Sequence, residues 1–506
     1  MTKLGQWKGK TCDSFFTEVL VQPDELIRET TNYRRTGKGT MNEEEEDGKG
    51  KEPGRVIHKE VQRSKKTAYQ EFILISRNII SFILSAPILL ILLSIATFKT
   101  AKVHLLEKTK RIQEDQEALK PDELLIQDET YYADRWGYKS EMHQVLTQDG
   151  YVLQMYRISK KGSNPQGKRP VFIGHGLFQC SGAFVLNEEN SMAFVLIDQG
   201  YDVWVGNNRS ISGLDHISLS HEDPEYWNWG LKELGIYDFP AMVDYVRSFT
   251  DFSKIAYIGH SQGNAQAFIG LSLIPELADK LSCFVALAPA VFSGNLVNTF
   301  PLCLLISLND WMYSLMFGTG SFLSIMSLAQ SLIEPKTFCF LAYSMFSYLF
   351  SWWDSHWLRR RKAKYFQFTP RPVSTKLIAD WIAGWGRKGV CLYIADQNNH
   401  QQQKITQKVP LVVFYGTADY LVNGERFVRT FNGYETHGLS PSQLAKESSN
   451  HEWNTAKSTN TLFPMLDLVH VERIEGYEHM DTIWGHDNHK TTYPIVLSNL
   501  EKARWD

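Results

Sequence analysis

Short apolar runs that alternate with helix-like stretches are the feature that most constrains the fold of this chain. Each run is followed by Gly, Ala or Asn, as expected for a buried strand that ends in a turn. The runs are Val171 to Ile173, Tyr201 to Val205, Ile255 to Ile258, Phe284 to Leu287 and Leu411 to Tyr415. Helical patterns lie between them, as in residues 188–199 and 239–249. This alternation predicts an α/β fold with a mainly parallel, doubly wound sheet.

A serine stands at the end of one of these predicted strands. Gly259-His-Ser261-Gln-Gly263 directly follows the run that starts at Ile255, and a helix-compatible stretch begins at Asn264. A strand, a sharp turn flanked by glycines and then a helix are the context of a nucleophile elbow, which exposes a serine oxygen above a sheet. The helix N-terminus beside it favours developing negative charge. We therefore predict that Ser261 is a nucleophile.

A serine hydroxyl needs a base, and that base needs an acid to orient it. In an elbow-type arrangement the acid and then the base follow the serine along the chain. Asp419 comes after the predicted strand that contains Leu411, and His479 lies in a loop before the final helix. We predict that His479 accepts the Ser261 proton and that Asp419 holds the other ring nitrogen of His479.

Three other histidines compete for the role of base: His470, His486 and His489. The last two could form a metal-binding pair, but no further ligand stands at a convincing spacing. The 6 cysteines are scattered and include no Cys-x-x-Cys pair, which argues against a zinc site and against a disulfide scaffold. We expect no metal and no cofactor, and the net charge of -3 gives no reason to expect a nucleic-acid partner.

Acyl transfer also requires two backbone donors for the negative charge that forms on the attacked carbonyl oxygen. The amide of Gln262, directly after the serine, is the first predicted donor. The loop after the run at Val171 contains His175-Gly176-Leu177, and we predict the Leu177 amide as the second donor. His175 and Gly176 are expected to shape this loop, without a proton-transfer role for His175.

The N-terminal part of the chain differs from the rest in composition. Residues 1–76 are polar and rich in charge, which predicts a disordered tail. No charged residue occurs from Asn78 to Phe98, and a helix over the last 20 of these residues would span about 30 Å, the thickness of a bilayer core. We predict a transmembrane or membrane-embedded helix over residues 77–99, preceded by too much charged chain for a secretory signal, and a linker over 100–127. Basic residues flank it on both sides, so charge does not set its orientation.

The alternation of strand-like and helix-like stretches is interrupted over residues 291–405, which are rich in Leu, Phe, Met and Trp. We predict a helical, apolar cap or lid here, between core segments 128–290 and 406–500. A basic cluster runs through Arg359, Arg360, Arg361, Lys362 and Lys364. This cluster could meet anionic lipid head groups or form a solvated helix face, and the sequence does not decide between them.

With these segments in place, the chain resembles the acid lipase family of α/β-hydrolases over residues 130–495. Within that family it looks most like the membrane-anchored fungal steryl ester hydrolases. The matching pieces are Gly137-Tyr138, Thr147 to Leu153, His175 to Leu177, Gly200 to Arg209, Tyr237 to Tyr245, Gly259 to Gly263 and His479 to Gly485. The resemblance implies a triad of Ser261, Asp419 and His479, with Leu177 and Gln262 as the oxyanion donors. It departs from the family in a 60-residue separation of Asp419 and His479, which includes a polar insertion at about 436–461.

The resemblance implies hydrolysis of a water-insoluble lipid ester, with steryl esters as the expected substrates and a free sterol and a fatty acid as products. A triacylglycerol lipase would use the same catalytic groups and is the alternative. A catalytically silent, lipid-binding scaffold is an alternative of another class, although such a protein would be expected to have lost the serine, the base or the acid. The expected surroundings are a membrane or a lipid-droplet surface, in the endoplasmic reticulum, lipid droplet or plasma membrane.

Overall fold

The computed structural model describes residues 68–106, 123–212, 216–221, 223–322, 325–384, 390, 407–431 and 463–505. Residues 1–67 of the predicted tail, most of the predicted linker and the polar insertion lie outside these residues. Residues 68–76, which the sequence assigned to the tail, are helical and begin the long apolar helix Ala68–Leu106. The strands are β1 Tyr138–Leu146, β2 Val152–Lys160, β3 Pro170–Gly174, β4 Asp202–Gly206, β5 Ile255–His260, β6 Leu281–Leu287, β7 Ser321–Phe322, β8 Val373–Ser374, β9 Val409–Gly416 and β10 Leu466–Ile474.

Helices occupy most of the connections between these strands. They are α1 Ala68–Leu106, α2 Glu129–Arg135, α3 Met192–Asp198, α4 Arg209–Ser212, α5 Leu231–Glu233, α6 Phe239–Thr250, α7 Gln262–Leu273, α8 Leu302–Ile306, α9 Asp310–Phe317, α10 Ile325–Leu332, α11 Pro335–Phe350, α12 Arg359–Tyr365, α13 Thr375–Gly384, α14 Gly424–Phe431, α15 Asp481–Trp484 and α16 Thr492–Lys502. A π-helical turn, Leu234–Asp238, joins α5 to α6. The predicted helix at 188–199 is divided into a 3₁₀ turn, Glu188–Asn190, and a helix that begins at Met192, because the backbone of Ser191 between them is extended (φ −63°, ψ 138°).

Eight strands form one sheet in the order β1-β2-β4-β3-β5-β6-β9-β10. The pairs from β4 onward in this order are parallel, whereas β2 runs antiparallel to both of its neighbours. Every residue of β3, β5 and β6 is buried, as the apolar runs predict. The predicted mainly parallel α/β sheet is therefore confirmed, and the carboxyl ends of β3, β5, β9 and β10 meet at one edge.

The segment between β6 and β9 leaves the sheet; we use "cap" for its residues 291–405. Its described part holds α8 to α13 together with the two-stranded ladder of β7 and β8. Aromatic rings fill the contact between the cap and the core: Trp357 packs edge-on against Trp484 of α15, and Tyr365 stacks on the same indole at 4.4 Å. The cap is thus attached to the loops that carry the carboxyl-end edge of the sheet.

The basic cluster of α12 lies against the core, contrary to both interpretations drawn from the sequence. Arg360 and Arg361 each donate hydrogen bonds to Glu188, and Lys364 binds Glu123 at 2.9 Å. Arg361 and Lys364 are almost wholly buried. Burial by itself would raise the pKa of Glu188, but hydrogen bonds from the arginines and their positive charge lower it to about 2. Most of the cluster therefore attaches the cap to the core, and neither lipid nor open solvent surrounds it.

The apolar N-terminal segment forms α1, which begins before and ends after the predicted range of 77–99. By length and composition, it is the one described helix that could cross a membrane. Its outward side chains, such as Phe82, Ile83 and Leu90, are exposed. The opposite side packs on the cap, where Ser81 donates to the carbonyl of Met316 and Thr100 lies 3.3 Å from Ser347.

Candidate active site

Ser261 lies in the sharp turn between β5 and α7. Its φ of 52° and ψ of −115° are strained for a residue with a side chain, as a nucleophile elbow requires. A Cβ at Gly259 would lie 2.3 Å from the side chain of Asn264, and one at Gly263 would lie 2.6 Å from the carbonyl oxygen of Gly174. Both flanking glycines are therefore needed for the backbone to pass this close to itself and to β3.

The structure brings the predicted nucleophile, base and acid together. Ser261 Oγ lies 2.8 Å from His479 Nε2, and His479 Nδ1 lies 2.8 Å from Asp419 Oδ2. The other carboxylate oxygen of Asp419 accepts the amides of Leu421 and Val422 at 3.0 and 3.1 Å. All three side chains are at least nine-tenths buried, so water competes little for their hydrogen bonds.

The predicted oxyanion donors lie on both sides of the serine. Gln262 is the first residue of α7, so its amide has no acceptor within the helix. Leu177 follows Gly176, whose backbone passes so close to the nucleophile that a Cβ there would lie 3.0 Å from the Ser261 Cβ. The Leu177 and Gln262 amides therefore remain the predicted oxyanion donors, on segments that lie next to Ser261.

His175 holds the loop that carries Leu177. Its Nδ1–H donates to the carbonyl of Gly176 at 2.9 Å, and its Nε2 accepts the amide of Asn208 at 3.3 Å. Burial lowers the pKa of His175 to about 4, so the ring is neutral at ordinary pH. These contacts fit a residue that shapes the loop.

The competing histidines have other neighbours. His470 lies on the edge strand β10 near Glu472, and His486 contacts the carbonyl of His356 at 3.0 Å. Across the described residues, no three His, Cys, Asp or Glu side chains are grouped closely enough to hold a metal ion.

Gln179 and His260 were not predicted from the sequence, although they lie directly behind the serine. Gln179 Oε1 accepts the amide of Gly176 at 2.9 Å and lies 3.0 Å from His260 Nδ1. His260 Nε2 lies 3.1 Å from the carbonyl of His479. Burial, together with the neighbouring His479, keeps the pKa of His260 well below its usual range. A neutral imidazole carries one proton, so it donates to one of these two oxygens at a time. The His260 ring therefore links the loop that carries Leu177 to the loop that carries His479.

The cap covers the base through two consecutive tryptophans, which the sequence did not single out. The Trp352 ring lies parallel to that of His479, with 14° between planes and 6.0 Å between centroids. The backbone N–H of Trp353 donates to Glu478 Oε2 at 2.6 Å. Burial, reinforced by the Asp481 carboxylate, raises the pKa of Glu478 to about 9. The residue next to the base is therefore an uncharged hydrogen-bonding group at neutral pH.

Asp481 attaches the other side of this loop to the cap. Its carboxylate accepts hydrogen bonds from His356 Nδ1 at 2.9 Å and from Trp357 Nε1 at 2.8 Å, and also from the Glu478 amide. The hydrogen bond to this carboxylate raises the pKa of His356. A buried carboxyl group that accepts these hydrogen bonds fixes the turn that presents His479. A tryptophan-rich run after a long apolar helix, Trp352-Trp353-Asp-Ser-His356-Trp357, was the only signal in the sequence.

A third cap tryptophan contacts Gln262, whose amide is one of the predicted oxyanion donors. Trp381 of α13 donates its indole N–H to Gln262 Oε1 at 2.9 Å. Phe178, beside Leu177, contacts Phe322 and Phe346 of the cap at ring distances of 6.3 and 5.8 Å. The cap thus places aromatic, apolar side chains next to the loop that carries Leu177.

Comparisons with known proteins agree with this geometry. Residues 130–188 match the family described as "Partial alpha/beta-hydrolase lipase region". The chain is 31% identical to gastric triacylglycerol lipase of Mus musculus, over 72% of this chain and 89% of that protein. It is 29% identical to Sterol esterase 2 of Saccharomyces cerevisiae, over 73% of this chain and 71% of that protein. It is 30% identical to a probable lipase of Schizosaccharomyces pombe, over 72% and 78% of the two chains.

Solved structures with similar folds include a putative lipase from Sulfolobus solfataricus. That structure has a TM-score of 0.43 and 14% identity, and the match covers 72% of this chain and 95% of that one. An esterase from Thermogutta terrifontis matches with a TM-score of 0.39 and 12% identity, over 72% of this chain and 98% of that one. The extent and identity of the sequence matches show that the chain belongs to the acid lipase family of α/β-hydrolases, as a serine hydrolase of carboxylic lipid esters.

Proposed function

We propose that this chain hydrolyses steryl esters to a free sterol and a fatty acid through an acyl-enzyme on Ser261. The observation that carries the mechanism is the continuous hydrogen-bond chain from Ser261 through His479 to Asp419, with 2.8 Å at each link. In this arrangement each group has a defined role, and no cofactor is required.

In the first half of the reaction, Ser261 Oγ attacks the ester carbonyl carbon while His479 Nε2 takes the hydroxyl proton. The carbonyl oxygen becomes an anion that accepts hydrogen bonds from the Leu177 and Gln262 amides. When the carbon–oxygen bond to the sterol breaks, His479 returns the proton to the departing sterol oxygen. The acyl group then remains on Ser261.

In the second half, water replaces the sterol. His479 takes a proton from the water as its oxygen attacks the acyl carbon, and the same two amides stabilise the second oxyanion. Collapse of this intermediate returns the proton to Ser261 Oγ and releases the fatty acid. Asp419, which is fixed by two backbone amides, keeps the His479 ring oriented in both halves.

Two observations support a steryl ester as the substrate. Sterol esterase 2 of Saccharomyces cerevisiae matches 73% of this chain. Phe178, beside Leu177, packs against Phe322, Phe346 and Phe350 of the cap, and the cap residue Trp352 lies on His479, so the surroundings of the triad on this side suit a bulky apolar body. Triacylglycerol is the second candidate, and the match to gastric triacylglycerol lipase favours it.

We further propose that α1 attaches the enzyme to a membrane or to a lipid-droplet surface. Its length and apolar composition support this attachment, and so does the row of exposed large side chains on its outer face. The cap, residues 291–405, would then act as the cover under which the ester is cleaved.

The test is a substrate panel with the purified, full-length protein in detergent. Cholesteryl oleate and ergosteryl oleate are compared with triolein and a phospholipid, for the unchanged protein and for Ser261→Ala. We expect the steryl esters to be cleaved fastest, and Ser261→Ala to release no sterol above background. Much faster cleavage of triolein would replace the proposed substrate, and undiminished sterol release by Ser261→Ala would overturn the mechanism.

A further inference from the structure

A cavity of about 590 Å³ lies between α1, the cap and the loop that contains the 3₁₀ turn Pro224–Trp227. On the α1 side its lining includes Ser81, Phe82, Ser85 and Leu89, and on the cap side it includes residues 316–321. Its volume falls in the usual range for pockets that bind compact organic ligands, about 300–1,000 Å³.

The side chains around this cavity form a mixed but mainly apolar surface. Phe82, Leu89, Trp227 and Phe317 supply the apolar part, whereas Ser85 and Asp223 are among its polar members. A lipid ester has the same character, with a large apolar body and a small polar group.

Contacts near both ends of the apolar stretch hold α1 against the cap. Ser81 donates to Met316 at one end, and Thr100 contacts Ser347 at the other. These two positions are about 28 Å apart along a helix. Phe82 lines the cavity and is also 54% exposed, so the cavity borders the exposed apolar face of α1.

Aromatic rings connect the cavity with the oxyanion loop. Phe317 lines the cavity, and its ring lies 5.1 Å from that of Phe322. Phe322 lies 6.3 Å from Phe178, the residue after the predicted oxyanion donor Leu177. Aromatic contacts therefore run from the wall of the cavity to the loop that carries Leu177, and an ester that entered here would have to displace these rings.

We propose that the lipid ester reaches Ser261 through this cavity, directly from the lipid that surrounds α1. This inference rests on the proposed function and adds a role for α1: besides attaching the protein to lipid, α1 forms one wall of the substrate's access route. The ligand is a lipid ester with a bulky apolar body, and the test distinguishes steryl from glyceryl esters.

The experiment compares the same substitution at two serines of α1. Ser85 lines the cavity, so Ser85→Trp would fill part of it. Ser94 is exposed and bonds to the carbonyl of Leu90 in its own helix, so Ser94→Trp adds the same ring outside the cavity. Both full-length variants are assayed in mixed micelles with cholesteryl oleate and triolein, and in buffer with p-nitrophenyl butyrate, a short ester that needs no lipid phase.

We expect Ser85→Trp to lower kcat/KM for the lipid ester, relative to that for the short ester, by about tenfold or more, and Ser94→Trp to leave this ratio within about twofold. An unchanged ratio in Ser85→Trp, or an equal fall in both variants, would overturn the proposal. A fall for cholesteryl oleate alone would identify the sterol body as the occupant, whereas a fall for triolein alone would identify a glyceryl ester.

A second measurement does not depend on either variant folding well. A photoreactive steryl ester is cross-linked to the unchanged protein in micelles, and the labelled peptides are identified. Labels at residues 81–89 or 316–322 are expected, and labels confined to other segments would contradict the route. Failure of the proposed function has a different signature: the unchanged protein would cleave the short ester but none of the lipid esters.

Discussion

The core and the cap contribute to the same site by different means. The core places Ser261, Asp419 and His479 where strands end, so backbone geometry sets their positions. The cap reaches these residues and their neighbours through contacts between distant parts of the chain: the side chains of Trp352 on His479, His356 on Asp481 and Trp381 on Gln262, and the backbone N–H of Trp353 on Glu478. Chemistry therefore belongs to the core, and the alignment of the base and of the oxyanion side depends in part on the cap.

The largest effect should follow a change within the core. Asp419→Asn keeps the size of the side chain but removes the charge that orients His479, so kcat should fall by about 10³- to 10⁴-fold. The measurement is kcat with p-nitrophenyl butyrate, which avoids any effect on lipid binding. Asp467→Asn is the control, since Asp467 is exposed on β10, and it should leave kcat unchanged. An Asp419→Asn enzyme with near-normal kcat would mean that another acid orients the base.

The cap should have a smaller but measurable effect on the base. Trp352→Ala removes the ring that lies on His479, and we expect kcat to fall by about ten- to a hundredfold while KM for a short ester changes little. Trp352→Phe keeps an aromatic face and should recover most of the activity.

A purely structural role of Trp352 would give a different result. It would lower the melting temperature but not the kcat per folded molecule. Trp311→Ala serves as the matched control, because Trp311 is 72% exposed on α9 of the cap.

The protonation of Glu478 makes the contact between the loop that carries His479 and the cap depend on pH, so that contact can be tested by measuring stability at several pH values. Its pKa is raised to about 9 in the folded protein, against about 4.5 for an ordinary glutamate. The folded state thus holds a proton that the unfolded state releases, so this group's stabilising contribution is full below pH 4.5 and is lost as the pH rises towards 9.

Glu478→Gln should therefore reduce the loss of stability between pH 5 and pH 8, by up to about 4 kcal/mol. Chemical unfolding at several pH values measures this change. Glu475→Gln, at an exposed position near the same loop, should leave the pH profile unaltered. A steeper loss of stability in Glu478→Gln would contradict the buried, protonated state.

The smallest effect should come from the oxyanion side. Trp381→Phe removes only the indole N–H that binds Gln262, and it should cost about 1 kcal/mol of stability and a few-fold in kcat. Trp311→Phe makes the same chemical change at an exposed indole and should be silent in both measurements.

The contrast between core and cap also explains which residues of the site could be predicted from the sequence. Ser261, Asp419 and His479 were predictable because each follows a local pattern of strand and turn. Leu177 and Gln262 followed from the same patterns, since their amides are fixed by the backbone next to β3 and β5.

The contacts made by the cap were not predictable in this way. Trp352 and His479 are far apart in the chain, and nothing local in either segment indicates the other. The basic cluster shows the same limit: a run of positive charge does not reveal that the buried Glu188, 173 positions from Arg361, folds onto it. Packing between residues that are far apart in the chain determines these contacts. Composition alone therefore predicted the wrong environment for the basic cluster.

The central claim is that a lipid ester transfers its acyl group to Ser261, and acid-quenched mass spectrometry during turnover tests it most directly. The unchanged protein is mixed with cholesteryl oleate in micelles, quenched within the first turnovers and digested. We expect an oleoyl adduct on the peptide that contains Ser261, formed at the same rate as the first cholesterol is released. Cholesterol release with the adduct on another residue, or with no adduct at any quench time, would contradict the account.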